Sequence, residues 1–210
     1  MISLALRPTT HATAQTLGID SDPVTAMFAQ HNLNVHLDAN SSSTARHATV
    51  RQCEFADCDL TDFDAVHLDP DRRKGRRTVD GSHFSPSLTD IYNRISNEKT
   101  VAIKVAPATP QRPYFPPEVH REWIGNRREC KQQILWTGPL QEMPGGKTAT
   151  IVTADGNAHS ISAVADQTPE RVVCEQLDKY LYEPNSTVLA AGLTDSLADR
   201  FELKRIAYEI

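Results

Sequence analysis

The sequence predicts an α/β protein built on a doubly wound sheet, and two features of the chain support this prediction. Apolar runs of strand length alternate with segments of helical periodicity, which is the order that strand–helix–strand units require. Acidic residues follow several of these runs, at the place where open α/β sheets bind their ligands. The chain has 210 residues, which is enough for one full core and a small second domain.

The first half of the chain contains most of this pattern. Strands are predicted at 14–20, 48–55, 63–68 and 100–105. A helix opens at Asp22-Pro23, because an acid at the cap and a proline in the first turn favour a helix start. Val24, Met27, Phe28 and His31 continue it at helical spacing. A second, short helix is predicted at 87–95. At the N-terminus, residues 2–6 resemble the remnant of a helix.

The second half is less regular. Prolines between 107 and 117 interrupt the pattern, and regular stretches follow at 118–124, 131–136 and 148–152, with a turn at 155–157. Helical periodicity returns at 171–180 and 186–197, with Gly192 inside the second segment. This change predicts two domains, 1–165 and 166–210.

Composition excludes several classes of protein. The net charge is −5 and the pI about 5.9, so nucleic-acid contact has to be local rather than carried by a global basic field. No apolar run approaches the roughly 20 residues of a membrane span, and no export signal is present. Four scattered cysteines then indicate reduced thiols and a cytoplasmic location. Their spacing fits no common zinc pattern, so no metal is expected. The sequence does not indicate an oligomeric state.

Three acids come just past predicted strands: Asp20, Asp57 and Asp69. A nucleoside-type ligand across the sheet edge needs such groups, the first for ribose hydroxyls and the second for the adenine edge. Asp69 would lie near the reacting group, and Pro70 ends the strand by removing a hydrogen-bond donor. The structural alternative is that each acid caps the helix that follows it.

A basic cluster follows this strand end: Arg72, Arg73, Lys74, Arg76 and Arg77. Two interpretations stay open. The cluster binds nucleic-acid phosphates, with salt-dependent affinity. Alternatively it is a solvated loop in which Arg72 or Arg73 pairs with Asp69 or Asp71.

These residues resemble class I S-adenosylmethionine-dependent methyltransferases, most closely the bacterial group with a THUMP-like C-terminal domain. The likeness runs from about residue 14 to the end. Matching segments are 18–23 (GIDSDP), 56–57 (AD), 68–73 (LDPDRR), 103–107 (IKVAP), 129–132 (ECKQ) and 180–185 (YLYEPN), followed by 190–192 (AAG).

The resemblance implies a Rossmann-like methyltransferase sheet with a small C-terminal THUMP-like α+β segment, and S-adenosyl-L-methionine as cofactor. Asp20, Ser21, Asp57 and Cys58 would hold that cofactor, while Asp69 and Pro70 would face the acceptor. The basic cluster at 72–77 would bind the substrate, with RNA as the expected partner.

Three departures from the family pattern bear on function. No glycine precedes Gly18, so the family's first strand and glycine-rich loop are expected to be missing, as in a late-starting or degenerate chain with an exposed sheet edge. The tail is also short for a THUMP-like domain. The acid–proline pair lacks the following aromatic that stacks on a flipped base in amino-methylating relatives. Two functions therefore stay open: methyl transfer to nucleic acid, and an inactive methyltransferase-like remnant that binds RNA or protein.

Overall fold

The computed structural model describes residues 2–5, 16–39, 48–71, 80–95, 100–164, 173–174 and 176–206. The chain divides into two compact units, residues 1–104 with 137–140 and residues 105–136 with 141–210. The domain boundary predicted at 165/166 lies outside the described residues, so that division stays a prediction.

The first unit contains a mixed sheet with the strand order β3-β2-β1-β4-β5. Its strands are β1 (Ile2–Ala5), β2 (Thr16–Asp20), β3 (Ala48–Gln52), β4 (Ala65–Leu68) and β5 (Thr100–Val105). The pairs β2–β3 and β4–β5 are parallel, whereas β1 runs antiparallel to both β2 and β4. The α/β class predicted from the sequence is confirmed.

The prediction for the N-terminal segment is wrong. Ile2–Ala5 is a strand that lies between β2 and β4, where a helix remnant and an empty sheet position were expected. The length of the connection explains its direction. The ten residues 6–15 separate β1 from β2, whereas a parallel crossover needs a dozen or more residues. An antiparallel connection needs far fewer residues. Strand β1 therefore occupies the position between β2 and β4 in the antiparallel direction.

Helix α1 (Pro23–Ala39) begins where the sequence predicted. The Asp22 carboxylate accepts hydrogen bonds from the Val24 backbone N–H at 2.9 Å and from the Thr25 hydroxyl at 3.1 Å. These bonds satisfy donors that the first helical turn leaves unpaired, and they lower the pKa of Asp22. The predicted N-cap is therefore confirmed.

The apolar stripe of α1 faces away from the sheet. Val24, Met27 and Phe28 are 54%, 60% and 58% exposed, whereas Ala26 is 5% exposed. A small side chain lets the helix approach β2 and β3 closely, and the Gln30 side chain accepts the Val50 backbone N–H at 2.6 Å. The helical spacing of the apolar residues thus predicts where the helix lies. Which face packs on the sheet depends on the small side chain of Ala26 and on the hydrogen-bond acceptor of Gln30.

Helix α2 (Leu88–Arg94) also begins as predicted, with Ser87 at its N-cap. The Ser87 hydroxyl accepts the Asp90 backbone N–H, which caps the helix, and donates to the Asp90 carboxylate. Leu88 and Ile91 are fully buried. Fully buried strand residues of the same unit include Leu68, Val101 and Ile103.

The second unit has a four-stranded arrangement in the order β7-β6-β8-β9. The strands are β6 (His120–Asn126), β7 (Glu129–Thr137), β8 (Gly146–Val152) and β9 (Ala158–Val164). Strand β6 is antiparallel to β7 and parallel to β8, and β8 is antiparallel to β9. Helices α3 (Ser186–Ala191) and α4 (Thr194–Arg200) follow, and α3 contacts β6 and β8.

Two helix predictions in this unit are wrong. The helix expected at 186–197 is divided, because Gly192 takes a left-handed conformation (φ 67°) that ends α3. In the segment expected to be helical at 171–180, the described residues are not helical. Val173 instead forms a bridge with Arg205, and the Cys174 backbone N–H bonds the Arg205 carbonyl at 2.8 Å.

Trp123 is 4% exposed and lies in a buried cluster that also contains Ala149, Ile161 and Val188. Within the described ranges, no helix combines the length and apolar character needed to cross a lipid bilayer.

Candidate functional site

Two of the three predicted acids, Asp20 and Asp69, lie at the same edge of the first unit's sheet, where β2 and β4 end. Ile2 of β1 pairs with Ile19 of β2 on one side and with Leu68 of β4 on the other. Asp20 and Asp69 are the next residues on strands that run in the same direction. Since neighbouring strands lie about 4.8 Å apart, the backbones of the two acids are separated by about 10 Å, with β1 between them.

Asp20 is the last residue of β2 and is partly buried. Its carboxylate accepts the Asp22 backbone N–H at 3.0 Å, and its carbonyl accepts the Cys53 backbone N–H, also at 3.0 Å. Ser21 is exposed, and its carbonyl accepts a bond from the Gln52 side chain at 3.2 Å. Asp22 therefore caps α1, whereas Asp20 stabilises the turn that leads into the helix.

Asp57 closes a short 3₁₀ turn, Phe55–Asp57, that follows β3. Phe55 and Cys58 on either side of Asp57 are 5% and 1% exposed, while Asp57 itself is exposed. Burial raises the pKa of the Cys58 thiol, which therefore stays protonated near neutral pH. A ligand in front of this turn would meet the Asp57 carboxylate rather than the thiol.

Arg94, at the end of α2, holds this turn in place. Its guanidinium donates to the carbonyls of Ala56 and Cys58 and lies 5.2 Å from the centre of the Phe55 ring. Sequence reasoning did not identify Arg94, because its three contacts come from a segment more than 30 residues away and no local pattern marks them.

Asp69 forms an ion pair with Lys104, whose Nζ lies 2.6 Å from Oδ2. The two side chains are 38% and 30% exposed. Leu68 and Ile103 are paired in the parallel β4–β5 ladder, so the residues that follow them are brought together. The sequence signal for this pair is the presence of two apolar runs, one followed directly by Asp69 and the other containing Lys104 next to its last residue.

The residues around Asp69 are fixed by the backbone. Pro70 is buried, and Asp71 and Ser85 exchange two backbone hydrogen bonds of 2.9 Å each. The basic cluster Arg72, Arg73, Lys74, Arg76 and Arg77 lies outside the described residues. Binding of nucleic-acid phosphates by this cluster, and pairing of Arg72 or Arg73 with Asp69 or Asp71, therefore both stay predictions.

His67 is exposed, because it alternates along β4 with the buried Val66 and Leu68. Desolvation lowers the pKa of His67, Lys104 adds to this effect, and Asp69 opposes it. His67 is therefore largely neutral at pH 7, near the Asp69–Lys104 pair.

All four cysteines are free. In the part of the chain that the structure describes, no group of three or more His, Cys, Asp or Glu side chains could hold a metal ion.

Comparison with known proteins adds one match. A crystal structure of a protein from Porphyromonas gingivalis W83, described as a "putative methyltransferase", superposes with a TM-score of 0.64 over 92% of this chain, at 17% sequence identity. The chain has the same fold as that protein. It spans 52% of the other protein's length. No family model matches the sequence, and no curated protein matches it.

The described arrangement is suited to polar recognition at a sheet edge. Asp20 and Asp69 lie level with each other, and Asp57 is presented by a braced turn after the neighbouring strand β3. Carboxylates in these positions can accept hydrogen bonds from hydroxyl and amino groups. The Asp69–Lys104 pair offers an acceptor and a donor side by side.

Proposed function

We propose that this chain carries out methyl transfer from S-adenosyl-L-methionine to a nucleic-acid acceptor, with RNA as the expected class. The observation that supports the proposal most directly is the level placement of Asp20 and Asp69 at one sheet edge, in a fold shared with a protein described as a methyltransferase. The acidic residues and the Asp69-Pro70 pair are also those that the sequence resemblance assigns to this chemistry.

The nucleoside half of the cofactor fits the described residues. Asp20 at the end of β2 and Asp57 after β3 supply carboxylates for ribose hydroxyls and for an adenine amino group. The methionine half fits less well, since β1 runs antiparallel to both of its neighbours. When bound, the cofactor would supply a methyl group on a sulfonium, which an acceptor takes by direct displacement.

The acceptor side of the proposal rests on Asp69 and Lys104. Their ion pair fixes the Asp69 carboxylate at the strand end, where it can accept a hydrogen bond from an acceptor amine or hydroxyl. The buried Pro70 holds the backbone after it. In-line positioning of this kind is the main contribution that a protein makes to a displacement reaction. Arg72, Arg73, Lys74, Arg76 and Arg77 are proposed to bind the phosphates of the acceptor strand.

Calorimetric titration with S-adenosyl-L-methionine tests cofactor binding. We expect Asp20→Asn to weaken binding about tenfold or more, which corresponds to the loss of a hydrogen-bonding partner of about 1–3 kcal/mol. Asp62→Asn, an exposed acid in a turn of the same unit, is the matched control and should leave the affinity unchanged. Absence of binding heat at millimolar cofactor would contradict the proposal. It would leave a non-catalytic module that binds RNA or protein as the remaining function.

Transfer of a labelled methyl group to RNA tests the second half of the proposal. Asp69→Asn should lower transfer while the cofactor affinity stays within twofold of the wild type, because Asp69 is assigned to the acceptor. Equal labelling of RNA and DNA, or of neither, would refute RNA as the acceptor class.

A further inference from the structure

Two cations lie side by side on the second unit, whereas the acids described above belong to the first unit. Arg121 on β6 is the direct partner of Lys147 on β8 in the parallel ladder. Paired residues of neighbouring strands lie on the same face, about 4.8 Å apart at the backbone. The same ladder pairs Trp123 with Ala149, and both belong to the core cluster that α3 covers. Arg121 and Lys147 are therefore at the border of an apolar surface.

Among the described residues, the groups that lie against these cations are uncharged. The Arg121 guanidinium lies 5.2 Å from the centre of the Trp123 ring. Lys147 Nζ lies 3.6 Å from the point that a Cβ on Gly192 would occupy, at the end of α3. In the neighbouring ladders, Arg121 pairs with Leu135 and Lys147 with Ala163.

The described residues place no carboxylate within ion-pair distance of either cation. This differs from Lys104 and Lys131, each of which has an acidic partner. Both Arg121 and Lys147 are partly buried rather than extended into solvent. Desolvation lowers the pKa of each, and Arg121 lowers that of Lys147 further.

Two neighbouring positive charges at a partly desolvated position are unfavourable unless an anion neutralises them. The arginine fork can donate two parallel hydrogen bonds to one anion, and the lysine adds a point charge. A tetrahedral oxyanion can accept from both at once. The Trp123 ring, whose centre lies 5.2 Å from the guanidinium carbon, adds a cation–π attraction on one side of that group.

We propose that Arg121 and Lys147 form a binding site for a phosphate group. The site is independent of the proposed methyl transfer, since none of its residues is assigned to that reaction. The phosphate belongs either to a small phosphorylated molecule or to a nucleic-acid backbone, and the two sources share the chemistry that the pair recognises.

Titration of the full chain with inorganic phosphate at constant ionic strength, balanced with sodium chloride, tests the site. Calorimetry and tryptophan fluorescence are the readouts, because Trp123 lies beneath Arg121. We expect saturable binding, weakened at least tenfold by Arg121→Gln and by Lys147→Gln. Lys131→Gln removes an exposed charge on β7 and should change the affinity less than twofold.

Thermal melts show whether each variant is folded. If Arg121→Gln does not fold, Lys147→Met replaces it as the test variant, because methionine keeps the apolar stem of the lysine side chain. A wild-type response equal to that of chloride alone would overturn the proposal. Equal weakening by Arg121→Gln and Lys131→Gln would also overturn it, because the effect would then be one of net charge.

Displacement of phosphate by an RNA oligonucleotide without terminal phosphates would assign the site to a nucleic-acid backbone. Its failure to displace, with binding intact, would assign the site to a small phosphorylated molecule.

Discussion

Replacement of Gly125 by alanine tests how α3 is packed on the second unit. Gly125 lies on β6 where the pairing with β7 shifts register. A Cβ at this position would lie 1.9 Å from the Thr187 hydroxyl oxygen and 2.8 Å from the Glu129 carbonyl oxygen. Both distances are shorter than a van der Waals contact. The Glu129 atom belongs to the backbone of β7, so side-chain rotation alone cannot relieve the overlap.

The loss of stability that we expect for Gly125→Ala comes from overpacking of the core beneath α3. Extra methylenes in a well-packed core cost about 1–3 kcal/mol. We expect about 3 kcal/mol for Gly125→Ala, since Thr187 is fully buried and α3 is tied to the adjacent turn. That tie is the Asn185 side-chain amide, which donates to the Arg127 carbonyl at 2.6 Å. The helix therefore has to break this bond or compress the core.

Urea denaturation measures the effect as a lower midpoint at an unchanged m-value. The control is Gly156→Ala, where nothing lies within 4 Å of the added Cβ and only the positive φ of 85° opposes the change, at about 1–2 kcal/mol. Adding Thr187→Ala to Gly125→Ala should recover part of the lost stability, because it removes the closest contact. A cost below that of Gly156→Ala, or fully additive effects of the two substitutions, would refute the proposed packing of α3 against β6.

Two further outcomes follow from local contacts in the first unit. Arg94→Ala should lower the free energy of unfolding by about 1–2 kcal/mol, because the hydrogen bonds to the turn at 55–58 are lost. Arg94→Lys should recover less than half of this loss. Urea midpoints measure both effects, and an unchanged midpoint for Arg94→Ala would contradict the prediction. Asp22 has a folded-state pKa below its ordinary value, so its stabilising contribution is present above about pH 4 and is lost as the pH falls through the folded pKa. Asp22→Asn should therefore lose less stability than the wild type between pH 5 and pH 3 in the same assay, and parallel pH profiles would argue against the cap.

The predicted strands and helix starts of the first half agree with the structure because they depend on neighbours in the chain. The run at 100–105 is a strand over its whole length, the predicted cap at Asp22 holds, and the helix predicted at 87–95 begins at Leu88 with Ser87 as its cap. A cap bonds backbone groups two or three residues away, so its partners can be read directly from the sequence.

The failures concern relations between distant segments. The direction of β1, the exposure of Phe28 on α1 and the division of the last helix at Gly192 each depend on what lies across the sheet or beneath the helix. Periodicity alone contains no information about these neighbours.

The candidate site divides in the same way. The sequence indicated that Asp20, Asp57 and Asp69 follow strands, since apolar runs and acids are local features. The β1 register decided that Asp20 and Asp69 are level, and parallel pairing of β4 with β5 brought Lys104 to Asp69.

By itself, then, the sequence determined the α/β class, the helix starts in the first unit and the acids at the strand ends, because short-range hydrogen bonding and apolar patterning specify them. The tertiary structure alone decided the strand order, the Arg94 contacts with the turn at 55–58 and the adjacent placement of Arg121 and Lys147. These features arise where segments far apart in the chain are brought into register by burial of their apolar faces.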